Sequence, residues 1–250
     1  MTLRSLLRAV APDWMLRRMH RWRARQHARV FGRLPLAEAF DRVYAQGLWG
    51  ASSDEPSGSG SYGRWADEYV EHVRSLAELE GLRTAVDVGC GDFHVGAELC
   101  DRFERYEAID ASRLIIERNR ERFRHLPHVR FSVLDATREP LPAADLIMIR
   151  QVLQHLSNAQ IEAVLRNAEA AARRLIVVAE HGLSAEAISA YNVDLGSHSP
   201  STRLALRSCV RIDRPPFDRR AQLTKSIPAD RPVLRGASET LDIYLLKRAT

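Results

Sequence analysis

The residues best suited to chemistry sit where apolar runs stop. Thr84-Ala85-Val86-Asp87-Val88 is apolar and β-branched, and it breaks at Gly89-Cys90-Gly91. Glycines this close together let backbone approach a ligand that any Cβ would exclude. A second run, Tyr106 to Ile109, ends in Asp110, about 20 residues past the first glycine, where a carboxylate can accept both hydroxyls of a ribose. A third, Val129 to Leu134, ends in Asp135, which can accept from an exocyclic amine such as that of adenine. Asp110 and Asp135 also have a plain reading as strand-end turn residues, which aspartate favours. Three such features at one sheet edge favour the nucleoside reading.

The kind of nucleoside is narrowed by what is missing. A dinucleotide loop wants a third glycine where His94 stands, and Gly96 falls two residues late. No Lys-Ser/Thr pair marks a phosphate-binding P-loop. An adenosine without phosphates fits better. Among proton-handling groups, His155 is the best-placed candidate base, just past a fourth apolar run and before Ser157. Its alternative is a histidine that satisfies loop backbone. His94 and His181 are weaker candidates. No Cys/His set has zinc spacing, so no metal is expected. No Ser-His-Asp arrangement is supported, and Cys90 reads as a small packing residue.

The elements that must position these groups alternate. Helical spacing runs from Leu36 to Trp49, then from Arg64 through Trp65, Tyr69, Val73, Leu76 and Leu79, with a stop at Gly81. The glycine loop leads into a helix from about Val95 to Phe103. Ser112 caps another through Leu114, Ile115 and Phe123. Asp145 to Ile149 is continuously apolar, as in a strand covered on both faces. Ser157-x-x-Gln160 is a capping box for a helix along Ile161, Val164, Leu165 and Ala168, and Leu175 to Ala179 is a fifth strand. Such alternation implies right-handed crossovers and an α/β, doubly wound, mainly parallel sheet. Beyond Glu180 a helix from Ser184 towards Tyr191 and two late strands, Ser208 to Ile212 and Leu241 to Leu246, are expected. Irregular chain rich in proline separates the strands.

The 250 residues, 45% hydrophobic, suffice for one domain with an extension. The net charge of +5 is uneven: arginines crowd the stretch before Pro35, where Asp13 is the only acid. Apolar Leu6, Leu7, Val10, Trp14, Met15, Met19 and Trp22 recur there at helical spacing, with a break at Pro12. This is either a helix packed on the protein's own body or one lying on an anionic membrane face. Trp49 to Gly63 is a Gly/Ser-rich stretch bracketed by aromatics, read as a lid or ligand-contacting loop. Three cysteines without framework spacing, no apolar run of about 20 residues and no signal-peptide pattern lead to a cytoplasmic expectation.

The ordered set Val86-Asp87-Val88-Gly89-Cys90-Gly91-Asp92, Asp110, Leu134-Asp135-Ala136 and Asp145 to Leu156 resembles the class I S-adenosylmethionine-dependent methyltransferase family. The resemblance spans about Ala85 to Ala179. It implies a seven-stranded Rossmann-like sheet with an antiparallel last strand, and S-adenosyl-L-methionine as cofactor. It implies that Asp87, Gly89 and Gly91 surround the methionine portion, Asp110 binds ribose, Asp135 and Ala136 flank adenine, and Arg150 and Gln151 line the pocket floor. Cys90 and Ala111 complete the expected cofactor set. Phe93 stands where a third glycine is common, and is expected to tighten the loop's packing. Residues 40–61 resemble a preface that closes over the cofactor in a bacterial subgroup.

The domain organisation expected is 1–63 as a basic helical extension with the Gly/Ser-rich loop, and 64–250 as the methyltransferase domain, its cofactor core about 84–180. The leading function is methyl transfer to a small molecule: a sugar, a glycan precursor or a lipid-linked hydroxyl. An RNA or protein acceptor gripped by the basic arm is the alternative, although no RNA-binding module is visible. A non-catalytic binding protein docked on a membrane is the lesser one. Peripheral contact of residues 1–33 with the inner membrane face belongs to the same set of expectations.

Overall fold

The computed structural model describes residues 13–50, 56–230 and 237–248. Seven strands make one sheet in the order β3-β2-β1-β4-β5-β7-β6. They are β1 (Thr84–Val88), β2 (Arg105–Asp110), β3 (Val129–Val133), β4 (Ala144–Arg150), β5 (Ala172–Leu183), β6 (Gln222–Pro228) and β7 (Glu239–Lys247). β1 to β5 pair in parallel, and β7 runs antiparallel between β5 and β6. β1 lies between β2 and β4, so the winding reverses there and opens a crevice at the strands' carboxyl ends.

The apolar run of β4 is explained by cover on both sides. Leu146 and Met148 pack with Tyr69 and Val73 of α3 (Arg64–Leu79), Leu99 of α4 (His94–Leu99) and Ile115 of α5 (Arg113–Arg122). Ile147 and Ile149 point the other way, into Ile161, Val164 and Leu165 of α6 (Asn158–Ala171). The expected caps form. Ser112 Oγ accepts from the Ile115 N–H, and Ser157 and Gln160 make a reciprocal capping box, an arrangement worth about 1 kcal/mol per cap.

Among the described residues two further helices precede α3: α1 (Asp13–Phe31) and α2 (Leu36–Ala45). The short helix expected before Pro12 lies outside the described residues. Asp41 of α2 accepts from Ser112 Oγ at 2.6 Å and from the Leu114 N–H at 3.0 Å, so α2 is tied to the start of α5. The extension thus packs on the cofactor core.

The C-terminal third departs from expectation. Ser208 to Ile212 is not a strand, although Cys209, Val210 and Ile212 are buried. Its backbone is bonded in part by Asn192, whose N–H donates to the Cys209 carbonyl and whose Oδ1 accepts from the Arg211 N–H, and in part by Arg219, whose N–H donates to the Ile212 carbonyl. Burial without a sheet neighbour imitated a strand. The sixth strand is Gln222–Pro228, inside the stretch read as irregular. It is an edge strand, mostly exposed and polar, held by its pairing with β7. The helix expected from Ser184 is a single turn closing at Ile188, because β5 runs on to Leu183.

Candidate active site

The turn after β1 needs its glycines. Gly89 and Gly91 take φ of +72° and +55°. A Cβ at Gly89 would lie 2.3 Å from Val152 Cγ2, and one at Gly91 2.5 Å from Ser57 Oγ. Asp110 holds this loop from below: Oδ2 accepts from the Gly91 N–H at 3.2 Å and Oδ1 from the Ser112 N–H at 2.9 Å. Asn119 of α5 donates to the Gly91 carbonyl at 2.7 Å. Asp87 accepts from the Tyr106 hydroxyl at 3.1 Å. Burial pushes Asp87 and Asp110 each up to about 6. Burial likewise drives the Cys90 thiol well above its usual range, which keeps it protonated and unreactive.

The Gly/Ser-rich segment lies against that loop. Ser57 Oγ accepts from the Asp92 N–H at 2.8 Å, and the Tyr62 hydroxyl donates to the Asp92 carboxylate. Arg150 donates to the Gly60 carbonyl, and a Cβ at Gly60 would lie 2.2 Å from Gln151 Oε1. Residues 56–62 therefore close over the ends of β1 and β4. Residues 51–55 lie outside the described set.

The opposite wall follows β4. Gln151 takes a φ of +55°, its side chain donating to His181 Nε2 at 3.2 Å. Burial takes His181 down to about 3, and its Nδ1 is buried without a partner. His155 Nδ1 donates to the Ser199 carbonyl at 3.2 Å, which leaves the lone pair on Nε2. Its ring lies 4.6 Å from that of Trp49, and burial takes it down to about 4. Both histidines are neutral at physiological pH. Fully buried Arg203 fixes the turn carrying His155, donating to the carbonyls of Leu153 and Leu156 at 2.8 and 2.7 Å and to that of Val193 at 3.0 Å. Glu180 accepts from the Leu153 and Gln154 N–H groups of the same turn.

These parts enclose a cavity of about 780 Å³. It brings together ten of the eleven expected site residues: Asp87, Gly89, Cys90, Gly91, Asp110, Ala111, Ala136, Arg150, Gln151 and His155. Asp135 is the exception. Its Oδ1 turns back to accept from the N–H and hydroxyl of Thr137, while Leu134, Ala136 and Thr137 face the cavity. His181 lines the cavity; His94 does not, and its ring lies 4.6 Å from that of Tyr62 instead. Among the described residues no cluster of three or more His, Cys, Asp or Glu side chains could hold a metal ion.

Residues 86–174 match the family described as "Methyltransferase domain". Over that stretch the chain is similar to a methyltransferase domain. The fold agrees with that of the N-methyltransferase NodS from Bradyrhizobium japonicum WM9 in complex with S-adenosyl-L-homocysteine. The two share 12% identity over 86% of this chain and 98% of that one, with a TM-score of 0.55. An S-adenosylmethionine-dependent methyltransferase from Clostridium acetobutylicum ATCC 824 shares 10% identity over 74% of this chain and 92% of that one, TM-score 0.50. The mitomycin 7-O-methyltransferase MmcR shares 19% over 85% of this chain and 57% of that one, TM-score 0.50. No curated protein matches the sequence.

A methyltransferase domain implies S-adenosyl-L-methionine as cofactor, and the cavity suits it. Asp87, Asp92, Asp110, Asp230 and Glu239 line the cavity against only Arg64 and Arg150, a charge balance that favours a cationic sulfonium. The glycine turn leaves backbone bare beside Asp110. Sequence reasoning missed Asp41, Asn119, Glu180 and Arg203 as supports of the site, because none belongs to a spaced motif. Ser57 and Tyr62 lay within the flagged Gly/Ser segment, and only that composition pointed to them.

Proposed function

We propose that the protein is an S-adenosylmethionine-dependent methyltransferase acting on a small-molecule hydroxyl, of a sugar, a glycan precursor or a lipid-linked acceptor. The observation that carries this is the single cavity shared by the glycine loop, Asp110 and the wall of Phe40, Trp49 and His155. Asp110 would hold ribose hydroxyls, the Gly89–Gly91 backbone and Asp87 would face the methionine portion, and Leu134 with Ala136 would cover the adenine. When bound, the cofactor supplies a methyl group already activated on sulfur, so transfer needs chiefly an aligned nucleophile. A hydroxyl arrives uncharged, and the neutral His155 can accept a hydrogen bond from it on Nε2. With burial holding His155 near 4, it orients the acceptor more readily than it takes the proton outright. Closure by residues 56–62 favours a small acceptor over a macromolecule.

Calorimetry tests the cofactor half. The wild type should bind S-adenosylmethionine and Asp110→Ala should bind it at least about tenfold more weakly, the loss of charged hydrogen bonds. No binding, or binding unchanged by the substitution, overturns it. Methyl-labelled cofactor tests the acceptor half against fractionated cell extract: label in the small-molecule or lipid fraction is expected, and label confined to RNA or protein overturns it.

A further inference from the structure

Helix α1 has two faces with different partners. Ala24 and Phe31 are buried, and His27 Nδ1 bonds Ser201 Oγ at 2.9 Å. These residues hold the helix to the body beside the 3-10 turn Arg203–Leu206. Two residues along a helix turn it through about 200°, so Trp22 lies opposite Ala24. Met15, Met19 and Trp22, at i, i+4 and i+7, form one stripe there, exposed by 45%, 43% and 61%. Arg18, Arg21, Arg23, Arg25 and Arg29 around it are exposed, and none forms an ion pair among the described residues. Asp13 is the single acid of the helix.

We infer that this outer face docks on an anionic lipid bilayer, with Met15, Met19 and Trp22 entering the headgroup boundary and the arginines meeting lipid phosphates. The argument is charge complementarity joined to shape. A stripe of flexible thioethers and one indole, bordered by long cations whose stems can lie along the surface, is how a helix rests in the interface plane. A protein partner would need matching acids and pockets, and RNA would use the arginines without the methionines. The inference stands whether or not the acceptor is lipid-linked.

The test is co-sedimentation of the full chain with vesicles of phosphatidylcholine alone or with about one third phosphatidylglycerol. The wild type should pellet with the anionic vesicles only. Arg18→Gln/Arg21→Gln/Arg25→Gln should bind about a hundredfold more weakly, at about fivefold per arginine. Met15→Ser/Met19→Ser/Trp22→Ser should lose at least about tenfold. All these positions are exposed, and circular dichroism checks that both variants stay folded. Failure of the wild type to pellet, or equal pelleting of the methionine–tryptophan variant, overturns the inference. So does tighter binding to an RNA duplex that depends on the arginines and ignores the apolar stripe.

Discussion

The ring of Phe93 fills the space that a side chain at Gly96 would need: a Cβ on Gly96 would lie 2.3 Å from Phe93 Cε2. Phe93 is fully buried, edge-on to Phe131 at 4.8 Å and Phe123 at 5.0 Å. It takes a φ of +62°, a conformation costing a non-glycine residue about 1–2 kcal/mol. Its burial offsets that strain. Gly96→Ala should therefore destabilise by about 1–3 kcal/mol through overpacking, and Phe93→Ala by about 3–5 kcal/mol. Chemical denaturation of the Phe93→Ala/Gly96→Ala double variant should give a loss clearly below the sum of the single losses. Simple additivity would show that the two residues do not compete for that space.

The contacts of Ser57 and Tyr62 with Asp92 hold the closing segment on the glycine loop. Ser57→Ala/Tyr62→Phe should weaken S-adenosylmethionine about tenfold, two hydrogen bonds at about 0.5–1.5 kcal/mol each. Stopped-flow kinetics should place the change in dissociation, with the melting temperature almost unmoved. An unchanged dissociation rate would show that residues 56–62 do not retain the cofactor.

Affinity for the cationic cofactor should fall on acidification. Burial raises Asp87 and Asp110 from 3.8 to about 6. A cation is attracted by the ionised carboxylates, so binding weakens as pH drops below about 6, by up to about tenfold per pH unit for each group that must ionise. The unliganded fold behaves in the opposite sense. Carboxyls raised on folding contribute stability that is complete below 3.8 and lost as pH rises through about 6. Calorimetric titrations across this range, repeated with Asp110→Asn, should show a shallower dependence in the variant. A flat profile for the wild type would refute the assignment.

Arg203 should matter to stability more than its distance from the cofactor loop suggests. Replacing it with leucine leaves the carbonyls of Leu153, Leu156 and Val193 without their donor and Glu180 without its nearby cation. The expected cost is about 3–5 kcal/mol, or about 10 °C in melting temperature for a chain of this size. Arg203→Lys should recover only part of it, because an ammonium lacks the fork that reaches several acceptors. Full recovery by lysine would show that charge alone is what the turn needs.

The parallel core and the cofactor loop were legible because local chemistry and final contacts agree there. β-branched runs become buried strands, Gly89 and Gly91 take the positive φ that favours glycine, and Ser112 and Ser157 cap the helices they precede. Where contacts come from afar, pattern misleads. Buried Val210 and Ile212 look like part of a strand, but the backbone beside them, at Cys209 and Arg211, is bonded by Asn192, and polar Gln222–Pro228 becomes a strand because β7 lies beside it. By itself the sequence determined the fold class and the kind of cofactor, and singled out ten residues that line one cavity, since those depend on backbone conformation within a few neighbours. Only the tertiary structure decided that Asp135 turns away, that His155 is neutral, and that Ser57, Tyr62 and Arg203 complete the site. Burial and hydrogen bonding between residues far apart in the chain set those properties, and no spacing in the sequence encodes them.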